Sequence, residues 1–196
     1  MSRTHQIADI AIFACIGVIL NLASFPPLGS LGRISLVYAY CYMSGVILGG
    51  KNGMIAVMFA DILGYLLNNM GGVFVFQITL TNGFMALFAG LAYKHLKFKR
   101  KELRIIPAVA ISFIVLTLGL SAWGEAMFLF GTYPYTVAKS IGASLGTDNA
   151  YIMIACAKAI QQPLWIIINT VIAILLLHRL RPFFDPESSS QDAIAE

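Results

Sequence analysis

The sequence predicts an all-α protein, an integral membrane bundle of six transmembrane helices with both termini cytoplasmic. Three observations carry this. Of 196 residues, 59% are hydrophobic and 11% charged, with mean hydropathy +0.81, whereas ordinary soluble domains carry roughly 25% charged residues. Apolar runs of the length that crosses a bilayer, about 20 residues, recur along the chain. The lysines and arginines divide unequally between the segments that join those runs. Backbone groups in lipid must be satisfied internally, which leaves helices or a closed barrel, and the polar alternation of barrel strands is absent.

Apolar segments lie at about 7–24, 34–50, 53–70, 73–93, 105–130 and 150–178, divided by Pro, Gly, Asn or charge clusters. The first is read as a helix and not a cleavable signal, because it contains Asp9, precedes the pair Pro26-Pro27 and shows no small-residue cleavage site. "GGKNG" (49–53) and "NNMGG" (68–72) read as tight turns between antiparallel neighbours. Residues 131–149, "GTYPYTVAKSIGASLGTDN", read as a long loop, and loops of that length are often functional. Residues 1–184 form one membrane domain, and the polar, acidic segment 185–196 is expected to be a disordered cytoplasmic tail.

With the N-terminus inside, the inner side collects ten of the thirteen basic residues: Arg3, Lys51, Lys94, Lys97, Lys99, Arg100, Lys101, Arg104, Arg179 and Arg181. The outer side keeps Arg33, Lys139 and Lys158, so the positive-inside rule supports the orientation. The block "KHLKFKRKELR" (94–104) reads as a topogenic signal that attracts anionic lipid, with the docking of a cytoplasmic partner as the other reading. A nucleic-acid partner is not expected, because no domain presents that block.

Small residues mark the packing. Gly45, Gly49 and Gly53 fall four apart, as do Ala56, Ala60 and Gly64, and such stripes bring helices two and three together. Ala8, Ala11, Ala14 and Gly17 give the first helix a small-residue face for the bundle or for another membrane subunit. Cys15, Cys41 and Cys156 are single cysteines in apolar runs, without metal-ligand spacing. Neither H-E-x-x-H, G-x-S-x-G nor a Walker A loop is present, so no catalytic residue, metal or cofactor is expected, and any ATPase is another chain.

Charges inside apolar segments are functional candidates. At 1.5 Å per residue, Lys158 lies about 12 Å below the outer start of the last helix and Glu125 about 8 Å below the outer end of the fifth. Arg33 stands at the outer start of the second. Asp61 lies near the middle of the third, where a carboxylate needs donors or a proton. Aromatic and amide residues gather at the outer level, among them Tyr38, Tyr40, Tyr42, Phe74, Gln77, Trp123, Tyr133 and Tyr135, as an interfacial belt or as the walls of a pocket for a planar, partly anionic molecule.

The run 32–93 resembles the substrate-binding S components of energy-coupling factor (ECF) vitamin transporters, within them the folate family. "RIS" (33–35), Gly45-x-x-Leu-Gly49, "ADILGYLL" (60–67) and "TLTNGFMALFAGLAY" (79–93) carry the resemblance. It implies a multi-pass, bacterial cell-membrane subunit that binds a vitamin, folate favoured, in an outward-facing pocket. It also implies partnership with a transmembrane coupling subunit and two cytoplasmic ATPases, and transport by toppling of the loaded subunit in the bilayer.

From the outer charges, the aromatic and amide residues at that level and this resemblance together, Arg33, Lys158, Trp123, Glu125, Phe74, Gln77 and Tyr133 are the expected substrate-binding residues. The glutamate tail of folate lies near Arg33 or Lys158, the pterin stacks on Trp123, and Ala8, Ala11 and Ala14 meet the coupling subunit. Lys158 stands where the family has arginine, and Leu120 and Ser121 where it has Asn-Thr. A different vitamin or precursor is the alternative ligand, and Glu125 either accepts from a ring amino group or pairs with Lys158. Two other classes are an intramembrane enzyme, with Asp61 and Glu125 as acid and base, and a small channel.

Overall fold

The computed structural model describes residues 3–22, 36–67, 73–98, 101–130 and 135–184. These form seven helices and, among the described residues, no strand. They are α1 (Arg3–Leu22), α2 (Val37–Ile47), α3 (Gly50–Leu67), α4 (Phe76–His95), α5 (Ile105–Phe128), α6 (Thr136–Leu145) and α7 (Ala150–Phe184). Each of the six expected apolar runs holds one helix. Thr4–Leu22, Ile105–Phe128 and Ala150–Leu180 are long and apolar enough to cross a membrane. α2, at 11 residues, is about 16 Å long, shorter than its apolar run. α3 and α4 are diluted by Lys51, Asn52 and Asp61 and by Gln77, Thr79, Thr81 and Asn82.

Two expected loops change on folding. The 131–149 stretch is not one long loop, because it contains α6. That helix turns Ala138 and Gly142 into the molecule and leaves Lys139, Ser140 and Ser144 exposed. Gly146 ends it in the left-handed conformation (φ 65°), where glycine has no Cβ penalty, and its N–H donates to the Gly142 carbonyl. Three residues later Asn149 caps α7, its Oδ1 accepting from the N–H groups of Tyr151 (3.0 Å) and Ile152 (3.4 Å). The second is the expected "GGKNG" turn, which is reduced to Leu48 and Gly49 (φ 81°), since α3 already begins at Gly50.

The core joins α2, α4, α5 and α7 through Tyr42, Met85, Ala86, Ala89, Ile105, Leu116, Ile166 and Ala173. The glycines hold three backbones together. A Cβ on Gly45 would fall inside the backbone of Ala86, and one on Gly53 would lie 2.7 Å from the Cα of Gly45. Gly45 and Gly53 therefore act as the spacing predicts, whereas Gly49 serves the turn. The second stripe has a different neighbour. Ala60 and Gly64 face Gly17 and Asn21 of α1, and the Tyr40 hydroxyl donates to the Phe13 carbonyl at 2.8 Å. α1 buries Ala14 and Gly17 on that side and exposes Ile7, Ile12, Ile16 and Ile19 on the other.

The corner between α4 and α5 is closed by Arg104. Its guanidinium donates to the carbonyls of Tyr93 and Phe98, both at 3.3 Å, and lies 5.9 Å from the centroid of the Tyr93 ring. It thus satisfies carbonyls at and just beyond the end of α4.

Gly45→Val is expected to lower stability by about 3 kcal/mol or more, because a backbone cannot yield as a side chain does. Gly119→Ala, with nothing within 4 Å of the added carbon, is expected to match the parent. Thermal unfolding of the detergent-solubilised protein checks both, and a Gly45→Val melt equal to the parent's contradicts the close approach.

Candidate functional site

A buried ion pair lies where α5 ends and α6 and α7 begin. Lys158 Nζ is 2.8 Å from Glu125 Oε1 and donates to Ser121 Oγ at 2.7 Å. Its side chain is 9% exposed and that of Glu125 17%. Tyr135, just before α6, extends its hydroxyl toward Glu125 Oε2 at 3.5 Å. One turn further along α7, Gln162 Oε1 accepts from the Tyr38 hydroxyl at 2.7 Å, which brings in the start of α2. Gln77 of α4 packs against Gly124, where a Cβ would meet its side chain at 2.7 Å. Five helices or their immediate flanks thus contribute to one end of the bundle.

Local sequence makes this convergence possible. Lys158 and Gln162 are four apart and share a face of α7. Residues Ser112–Ser121 of α5 are π-helical, a form common at functional sites, and Ser121, its last residue, accepts from Lys158. Pro163 has no N–H to donate to the Ala159 carbonyl, which frees one α7 carbonyl beside Lys158. Lower in α7, Asn169 Oδ1 accepts from the Ala39 N–H at 3.2 Å and its amide donates to the Trp165 carbonyl at 2.9 Å, fastening α2 to α7.

Not every expected residue joins this centre. Trp123 precedes Glu125 by two residues, so it lies about 200° round the helix. It is 47% exposed and borders an open depression of about 390 Å³ with Gly119, Leu120 and Tyr151. Phe74 sets its ring 5.0 Å from that of Tyr65. Lys139 lies over the Phe130 ring at 5.9 Å and not at the pair. Arg33 and Tyr133 fall outside the described residues. Ala8 and Ala11 are exposed on α1, but Ala14 is turned inward at 7% exposure. Ser121 and Gln162 join the candidate site without being among the expected residues, although the spacing of Gln162 from Lys158 signalled it.

Asp61 belongs to a separate cluster. Its Oδ2 accepts from Thr79 Oγ1 at 2.5 Å and its Oδ1 from Asn82 Nδ2 at 3.3 Å, both on α4. The two carboxylates therefore serve different helix pairs, and the acid–base arrangement that an enzyme would need is not assembled. Among the described residues no group of His, Cys, Asp and Glu has the arrangement of a metal site.

The family model for the substrate-specific component of ECF transporters matches residues 5–177. The chain belongs to that family. A solved structure, described as that of the S component of a bacterial ECF transporter, matches with TM-score 0.64. The match covers 94% of this chain and 99% of that one at 20% identity, which speaks for the fold. No curated protein matches in sequence. As an S component the chain is a membrane-embedded, substrate-binding transporter subunit and not an enzyme, and it works with a membrane coupling subunit and ATPases.

Removing one partner of a buried ion pair strands the other. Lys158→Met and Glu125→Leu are each expected to lower stability by about 3–5 kcal/mol, and the double replacement Lys158→Met/Glu125→Leu to recover most of that loss. A thermal-unfolding double-mutant cycle measures this, and simple additivity of the single losses would refute the pairing.

Proposed function

We propose that this S component captures a vitamin, folate or a folate-like anionic heterocycle before others, and delivers it to its coupling module. The carrying observation is a buried lysine where five helices converge, an expensive placement in a membrane bundle that substrate recognition accounts for. Glu125 and Ser121 hold it directly, the Tyr38–Gln162 hydrogen bond lies one turn along α7, and Gln77 packs against Gly124 beside Glu125.

Arg33, placed by sequence just before α2, is proposed as the cation that meets the ligand's anionic group from outside. Phe74, Trp123 and Tyr133 are proposed as aromatic contacts made on loading, Trp123 from the depression it borders with Gly119, Leu120 and Tyr151. We further propose six spans with both termini cytoplasmic, on the ten-to-three division of basic residues. Residues 185–196 are proposed as a cytoplasmic tail to a single membrane domain, 1–184. Ala8 and Ala11 offer the coupling subunit a smooth face on α1; Ala14 is turned into the bundle. Two cytoplasmic ATPases drive the toppling of the loaded subunit.

Purified protein is expected to bind folate without ATP, read by tryptophan quenching and by mass spectrometry of the copurifying small molecule. Arg33→Ala is expected to weaken folate about tenfold or more without changing the melting temperature. Failure to bind folate refutes that ligand, and normal binding by Arg33→Ala refutes the outer cation's role.

A further inference from the structure

The simplest use of a buried lysine is to hold a ligand's carboxylate, but Lys158 is not available for that. Its ammonium already faces Glu125 Oε1 at 2.8 Å and Ser121 Oγ at 2.7 Å. A carboxylate arriving at Nζ would place two anions around one buried cation, or leave Glu125 stranded without its partner. Arginine would have offered a second edge for such a ligand, whereas lysine presents a point charge with three N–H groups.

The unused capacity at this site is of another kind. Described partners engage two of the three Lys158 N–H groups. Glu125 Oε2 has the Tyr135 hydroxyl only at 3.5 Å, the outer limit of a hydrogen bond. The carboxylate is also the more open member, at 17% exposure against 9%. One donor and one acceptor therefore stand side by side with zero net charge between them. Their complement is an acceptor beside a donor on a neutral ring.

We propose that the Lys158–Glu125 pair reads an uncharged acceptor–donor edge of a heterocycle, a ring carbonyl or ring nitrogen next to an N–H or amino group, and does not bind the ligand's anionic group. The ring acceptor takes the remaining Lys158 N–H, and the ring donor gives to Glu125 Oε2. The pair stays intact on loading. This rests on the reading of this end of the bundle as the substrate site. For folate it assigns the amino–oxo edge of the pterin to the pair and excludes the glutamate tail from Lys158.

The test measures binding to the purified full chain of folate and four probes. These are 6-hydroxymethylpterin, its 2-dimethylamino-3-methyl derivative with every edge N–H blocked, p-aminobenzoylglutamate with carboxylates but no such edge, and an alloxazine with a neutral imide edge. The expected result is that 6-hydroxymethylpterin binds, blocking costs at least tenfold, Glu125→Gln costs at least tenfold, and p-aminobenzoylglutamate binds more weakly than the pterin. Should Glu125→Gln fail to fold, the blocked probe on the unaltered chain decides. Folate binding that is insensitive to both blocking and Glu125→Gln overturns the inference and leaves the folate reading standing. Alloxazine binding that depends on Glu125, without folate binding, supports the inference and refutes folate. If no ring probe binds, or if p-aminobenzoylglutamate binds tighter than the pterin, the inference is overturned.

Discussion

An ammonium group cannot lie bare inside a helical membrane bundle, and the architecture at one end of this molecule follows from that constraint. Lys158 is held by Glu125 and Ser121, both from α5. The two long helices α5 and α7 are therefore joined by charge as well as through the apolar core they share. Tyr135 approaches the same carboxylate, and α6 packs on α7 through Ala138, Met153, Ile154 and Ala157. Charge pairing, and the small residues that let α6 lie close, act together to seat Tyr135 beside the pair.

The opposite requirement, close approach without charge, governs α1 to α4. Gly45 against Ala86, Gly53 against Gly45, and Gly17 against Ala60 are contacts at which a side chain would collide. They give α2, α3 and α4 a rigid common packing, with α1 laid on α3. The molecule thus divides its work. Small-residue packing fixes one part, and a polar network spans the other, where the π-helical segment of α5 and Pro163 of α7 depart from regular α-helix.

How far the sequence carried depended on the kind of signal. Long apolar runs are local, and all six expected ones contain helices. α6 was hidden because its ten residues include three glycine or serine positions and its apolar side is satisfied only by docking on α7. The partnership of Lys158 with Glu125 was legible as one of two alternatives, since depth estimates put both in the same outer half. The rotation of Trp123 away from that centre was not anticipated, although two residues along a helix turn through about 200° and the spacing from Glu125 contained it. Ser121 and Asn169 gave no signal, because a serine or asparagine in an apolar run acquires its role from a partner more than 30 residues away.

The two intramembrane carboxylates show why burial by itself does not locate a binding site. Asp61 is met by a hydroxyl and an amide from α4, Thr79 and Asn82, and these donors come from a helix that packs closely on its own. Thr79 is fully buried and Asn82 is 7% exposed, so the cluster faces a closed helix seam and acts as a polar clasp. Glu125 is met by a cation on one oxygen and a long hydroxyl contact on the other, at the end of the bundle and partly exposed. A carboxylate with a donor on each oxygen inside a seam holds helices together. One with only a long hydroxyl contact on its second oxygen, beside a lysine with an N–H to spare, keeps hydrogen-bonding capacity that the helix packing does not use.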